Sequence, residues 1–198
     1  MSATEIFAFD KEGNASLYAN AKNAWRGAMA VWGELESRYL PPYIPDHVQH
    51  RNWYKPGMTA SEIAARLGYA PSRLTTYPLT DNPLQEIWDL YNSPDVTERD
   101  KIVLATTFND VLVKSADLPR VIDAFVSFGG ETNLPEQAQI LREILSADKY
   151  IAVGWNQTSV NGDTWDNYYY NSDTGETEPY NCLTGDKHWW LFSEPELL

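Results

Sequence analysis

Asp163 with Asp166, and Glu176 with Glu178, are two pairs of closely spaced carboxylates set among aromatic side chains. Two carboxylates flanking a sugar are the machinery of glycoside hydrolysis, and aromatic rings stack on sugar faces. Two apart on a strand, Glu176 and Glu178 would share one face. The plainer reading of both pairs is charge that solvates turn rims and strand exteriors. Asp46, His47 and His50 form a D-H-x-x-H cluster, with His188 far downstream. Imidazoles three residues apart share a helix face and could hold a metal. Their segment, PPYIPDHVQHRNWYKPG, is punctuated by proline, carries no helix start and has no cysteine or glutamate. No metal site and no cofactor are therefore expected. Asp173-Thr-Gly-Glu176 lacks the ligand spacing of a calcium loop, and a hairpin turn explains it fully. Cys182 as a nucleophile would need an imidazole and an orienting partner beside it. His188 stands six residues on, but a structural thiol is the simpler reading. No catalytic residue is assigned.

Gripping a partner suits this region better than bond chemistry. From Trp155 to Leu198 the last 44 residues hold nine aromatics, eight carboxylates and one basic side chain, Lys187. Aromatic side chains supply rigid contact area at small entropic cost, and clustered carboxylates attract a cationic surface. The candidate partner-binding residues are Trp165, Tyr168, Tyr169, Tyr170, Asp163, Asp166, Glu176 and Glu178. Three consecutive tyrosines cannot all face one way on a strand, and neither can Trp189 and Trp190. A single core does not easily absorb them all, which leaves an aromatic face exposed.

The elements that position these residues can be read from periodicity. TEIFAF (4–9) alternates as a strand, DKEGN offers turn chemistry, and Ser16 to Tyr18 returns as a short second strand. Ala21, Trp25, Ala28, Trp32, Leu35 and Tyr39 recur at spacings of four and three, which predicts a helix with Trp25 and Trp32 in the core. Pro41 and Pro42 end it. Thr59-x-x-Glu62 is a capping box before a small helix over 60–67, and Asn82-Pro83 starts another with Leu84, Ile87, Trp88 and Tyr91 as its apolar face. Residues 101–114 fit a hairpin or a helix, and the β-branched content favours the hairpin. Helices follow with Leu118, Ile122 and Phe125 on one face, stopped by Gly129-Gly130, and with Ile140, Leu141, Ile144 and Leu145 after an Asn133-x-x-Glu136 capping box. YIAVGW (150–155), NYYY, and HWWLF (188–192) read as strands, with turns at Asn161-Gly162 and Asp173–Gly175. The expected fold is α+β. An antiparallel sheet, built from the C-terminal meander and the N-terminal strand, packs against a helical middle. Residues 1–198 form one domain, with 150–198 as its aromatic-rich β subregion.

Composition narrows the partner. The net charge is −13, from 28 acidic and 15 basic side chains, with 43% hydrophobic residues. That fraction supports a real core. Binding nucleic acid or an anionic membrane needs clustered Lys and Arg, so both are disfavoured and a basic protein is favoured. A single cysteine forbids an intrachain disulfide and fits a reducing compartment. The N-terminus lacks the basic start and apolar run of a signal peptide, and no apolar run approaches the ~20 residues that span a bilayer. A cytoplasmic location is expected.

The blocks IFAFDKEGN, NAWRGAMAVWGELE, LVKSADLPRVIDAFVSF and GWNQTSVNGDTW resemble those of small cytoplasmic bacterial immunity proteins from polymorphic-toxin and interbacterial-competition systems. The likeness lies in general character, since such proteins are small, acidic, rich in Trp and Tyr, α+β, and without a catalytic signature. It carries no site residues across. It implies tight binding to a cognate toxin, blocking the toxin's active site or an essential surface. Two other readings stay open. One is a bacterial or phage adaptor or scaffold domain. The other is a carbohydrate-binding or carboxylate-dependent hydrolase domain.

Overall fold

A computed structural model describes residues 3–39, 83–158, 165–185 and 187–192. The D-H-x-x-H cluster, the capping box at Thr59, the Asn161-Gly162 turn and Asp163 lie outside the described residues. The chain divides into two compact units, Met1–Val31 with Thr97–Leu198, and Trp32–Val96.

The first unit is built on a five-stranded sheet. Strand β1 (Ala3–Phe9) turns through Asp10–Asn14 into β2 (Ala15–Lys22). The Asp10 carboxylate closes this turn by accepting from the backbone N–H of Glu12 at 3.0 Å and of Asn14 at 2.9 Å. Gly13 sits there at φ +84°, a conformation open to glycine. The sheet order is β2-β1-β4-β3-β7, where β3 is Val111–Lys114, β4 is Ala152–Gln157 and β7 is Trp189–Trp190. N- and C-terminal strands therefore do share one sheet, through the antiparallel β1–β4 pair. Among the described residues the C-terminal strands do not make one continuous meander. β7 pairs in parallel with β3, and β5 (Tyr168–Asn171) with β6 (Glu176–Pro179) makes a separate two-stranded hairpin.

Alternation along β1 and β4 gives the sheet two faces. Ile6 and Trp155 face the helices, and both are fully buried. α4 (Leu118–Phe128) and α5 (Leu134–Ser146) cover this face. The Phe125 and Trp155 rings meet edge-on at 6.4 Å, and Trp155 Nε1 donates to Gln137 Oε1 at 3.1 Å. Gly129, at φ +79°, stops α4. Asn133 stands at the start of α5 but does not cap it with its side chain. Its amide serves the core instead, accepting from Gln137 Nε2 at 2.9 Å and donating to Asn23 Oδ1 at 3.2 Å.

The expected helix over 21–39 begins only at Ala28, as α1 (Ala28–Tyr39), because residues 15–22 pair with β1. Val31 and Leu35 are its buried stripe. Trp25, expected in the core, is 98% exposed. Ala24 and Trp25, at φ +37° and +70°, turn the chain between strand and helix, so Trp25 leaves the helical stripe before that stripe exists. Trp32 is half-buried. α2 (Pro83–Asn92) does form, with Ile87 and Leu90 buried.

The hairpin expected over 101–114 is half right. Val111–Lys114 is a strand, but Glu98–Ala105 is a helix, α3. Thr97 caps it, its hydroxyl accepting from Asp100 N–H at 3.2 Å. Ile102, Val103, Leu104 and Ala105 are all buried, so the stretch is apolar on every side and the β-branched preference is overridden by packing. Among the described residues no helix is long and apolar enough to cross a membrane.

Candidate functional site

The second face of the sheet is covered by the C-terminal segment, and the aromatics are divided there into buried and displayed sets. Phe9, Leu112, Ala152, Trp165, Cys182 and Leu183 form a small second core. Trp165 is its keystone, 4% exposed. It packs edge-on to Phe9 at 5.2 Å, tilts against Phe7 at 6.4 Å, and stacks on His188 at 4.3 Å. Its indole N–H donates to the Trp155 carbonyl at 3.0 Å. Gly154 makes room for it: a Cβ at that position would lie 2.5 Å from Trp165 Cζ2. Trp165 is thus not the exposed partner anchor expected from sequence. Its ring is large enough to seal a sheet face, and a glycine on the central strand β4 has left the slot open.

The hairpin β5–β6 projects from this cover. Asn167 fixes its base by holding Ala15 with both halves of its amide, Oδ1 to the Ala15 N–H at 3.0 Å and Nδ2 to the Ala15 carbonyl at 3.4 Å. Opposed residues of an antiparallel pair share a face. Tyr169 with Glu178, and Asn171 with Glu176, therefore lie on one side; Tyr168 with Pro179, and Tyr170 with Thr177, lie on the other. The first side is tied inward. Tyr169 Oη donates to Glu178 Oε2 at 2.6 Å, and Asn171 Nδ2 donates to Glu178 Oε1 at 2.7 Å. The Tyr169 ring meets Tyr180 edge-on at 6.1 Å. Lys187 Nζ lies 5.2 Å and 4.9 Å from the Tyr169 and Tyr180 ring centres, within cation–π range. The tail's one basic side chain thus lies over the inner rings while remaining exposed. On the other side Tyr168 and Tyr170 are 62% and 69% exposed, the outermost rings of the hairpin.

The carboxylates separate in the same way. The Tyr169 hydroxyl, then the Asn171 amide, hold Glu178 below the usual carboxylate range, while Glu178 in turn pushes the Tyr169 phenol up. A general acid needs the opposite, a raised pKa, so Glu178 does not carry the shift of a proton donor. Asp166, Asp173 and Glu176 are exposed. The turn at Asp173–Gly175 is held by Asn171, whose Oδ1 accepts from the Asp173 N–H at 2.9 Å. Local turn chemistry accounts for those residues, and among the described residues no cluster could hold a metal ion.

Cys182 is fully buried, its Sγ 3.6 Å from the Asp166 carbonyl. Burial, aided by the Asp166 charge, pushes its thiol up to about 11. That direction suppresses the thiolate a nucleophile needs. The partner-binding residues expected from sequence thus divide three ways: Tyr168, Tyr170, Asp166 and Glu176 are displayed, Tyr169 and Glu178 are bound to each other, and Trp165 is buried.

Trp25 and Met29, at 98% and 73% the most exposed large apolar side chains among the described residues, escaped the sequence reading. The helical stripe concealed Trp25, and nothing local in the sequence marks the turn that expels it. Comparison with protein-family models, with curated proteins and with solved structures found no match.

Proposed function

We propose that this chain is an acidic, cytoplasmic protein-binding inhibitor of the immunity type, which neutralises a cognate basic toxin by covering its active site or an essential surface. The outer face of the β5–β6 hairpin is its contact surface. The observation that carries this reading is the pair Tyr168 and Tyr170, exposed side by side on one face of a hairpin whose other face is locked. A locked hairpin presents its rings with little entropy left to lose on binding, which is how aromatic anchors reach high affinity. Asp166, Asp173 and Glu176 are exposed in the same region, and Lys187 is the one basic side chain of the last 44 residues, so the region is net acidic. With a net charge of −13, attraction to a basic partner acts before contact and speeds association.

The test is capture of a partner from the source cell on immobilised protein, followed by binding kinetics at several salt concentrations. Asp166→Asn with Glu176→Gln should slow association and flatten its salt dependence. Tyr168→Ser with Tyr170→Ser should chiefly speed dissociation, by about 2 kcal/mol or more. An acidic partner, or unchanged rates in both variants with the fold intact, would place the contact surface elsewhere and refute the proposal.

A further inference from the structure

A second displayed surface lies at the other end of β2. Ala24 and Trp25 hold left-handed backbone in succession, at φ +37° and +70°. Side-chain-bearing residues persist in that region only where the surroundings over-determine it, and such strain gathers at contact sites. Here the clamp is visible. The Arg26 N–H donates to the Asn23 carbonyl at 2.5 Å, and the Arg26 carbonyl accepts from the Asn133 N–H at 2.7 Å. Asn23 is itself fixed, with Thr4 Oγ1 and Asn133 Nδ2 at 2.9 Å and 3.2 Å from its Oδ1. Gly27 packs so closely on Asn23 that a Cβ would lie 2.5 Å from Asn23 Cγ. The turn is rigid, and it holds an indole almost wholly in solvent, at 98% exposure. Met29 stands beside it in sequence at 73% exposure. Lys22 and Arg26 flank it, exposed and without an ion-pair partner among the described residues. In a chain of net charge −13 this is a local basic and aromatic knuckle.

We propose that the Trp25 knuckle of one copy docks head-to-tail on the outer tyrosine face of the hairpin of a second copy. The inference rests on the reading of that hairpin face as a binding surface. The two surfaces are complementary: Trp25 and Met29 with Lys22 and Arg26 on one, Tyr168 and Tyr170 with the exposed Asp166 at the start of their strand on the other. The hairpin already shows the chemistry once, on its inner side, where Lys187 lies over Tyr169 and Tyr180. Among the described residues the outer rings have no such cation of their own. The two surfaces do not meet within one chain. The hairpin base is held at Ala15, and Lys22 lies seven residues further along the strand, about 23 Å away at ~3.3 Å per residue. Repulsion between two acidic bodies is screened beyond ~8 Å at physiological salt, so the charges in the contact decide. Each copy carries one knuckle and one tyrosine face, so the contact is heterologous and builds rings or open chains. Self-association would mask the hairpin face until a tighter-binding partner displaces it.

Sedimentation velocity on the full chain at increasing concentration tests this. The wild type should sediment beyond monomer as concentration rises. Trp25→Ala should weaken association about tenfold or more, as should Tyr168→Ser with Tyr170→Ser. An equimolar mixture of these two variants should form a heterodimer and stop there, because one complementary pair of surfaces survives. Lys22→Glu with Arg26→Glu supplies a second knuckle variant, with circular dichroism confirming the fold of each. A wild type that stays monomeric throughout, a Trp25→Ala chain that assembles like the wild type, or a mixture that stays monomeric would overturn the inference. Binding of the captured partner to Trp25→Ala keeps the two proposals apart. Failed self-association with intact partner binding sinks only the head-to-tail contact. Intact self-association with partner binding unaffected by the tyrosine changes sinks only the hairpin as partner site.

Discussion

Gly154→Ala is a one-methyl change that interrogates the second face of the sheet. Gly154 pairs with Phe7 on one side and Leu112 on the other, so it sits mid-sheet. Its φ is not in the left-handed region, so the backbone accepts alanine. The methyl would lie 2.5 Å from Trp165 Cζ2 and 2.9 Å from Cε2 and Cη2. These are atoms of a rigid ring held by an indole hydrogen bond to Trp155, not the end of a flexible chain. The structure can strain around the methyl at about 1–3 kcal/mol, or expel the indole at about 3–5 kcal/mol. The cheaper route wins, which sets the cost near 2–3 kcal/mol. For a chain of this size that lowers Tm by about 4–12 °C. The double variant makes the test specific. With Trp165→Ala already in place the obstructing ring is gone, and Gly154→Ala should then cost under about 1 kcal/mol, a coupling of about 2 kcal/mol between the sites. Urea unfolding of the four chains, followed by circular dichroism, reads the cycle. If Gly154→Ala leaves stability unchanged, or costs as much without Trp165 as with it, Trp165 does not seal the sheet through that slot.

Two further expectations concern titrating groups. The Cys182 thiol, raised to about 11 by burial, should react slowly with a disulfide reagent at pH 8 in the folded chain and quickly in urea. Because the folded state holds this proton more tightly than the unfolded one, Cys182 makes stability fall as pH rises from about 9 to about 11, and Cys182→Ser should remove that part of the loss. Glu178 shifts the other way. Its folded carboxyl is held down by Tyr169 and Asn171, so its contribution is present above the ordinary glutamate range and lost as pH falls through the lowered value. Tyr169→Phe should bring Glu178 back toward the ordinary range and loosen the hairpin without unfolding the sheet. Carboxyl titration by NMR measures the first effect and amide exchange over 168–179 the second; a Glu178 titration identical in both chains would refute the network.

What the local sequence determined was periodicity and punctuation. Residues 118–128 and 134–146 are helices because their apolar residues recur at helical spacing and Gly129 stops the first. Ala3–Phe9 and Ala152–Gln157, close to the expected stretches 4–9 and 150–155, are strands because alternation and β-branched or aromatic content suit a pleated surface, and Asp173–Gly175 turns because the Asn171 side chain bonds the backbone two residues on. The carboxylates and tyrosines of the hairpin were visible as a group for the same reason. Which tryptophan is inside was decided only by tertiary packing. Trp25 has the spacing of a core residue and stands almost fully in solvent, because pairing of 15–22 with β1 ends the stripe before the helix begins. Trp165 sits among turn residues and is buried, because Gly154, on a strand eleven positions away, left a slot of its size. Glu98–Ala105 became a helix against the β-branched content of Ile102 and Val103 because packing buries its last turn, Ile102–Ala105, on every side. Spacing along a chain states which residues share a face; only the elements that arrive from elsewhere in the chain decide whether that face is covered.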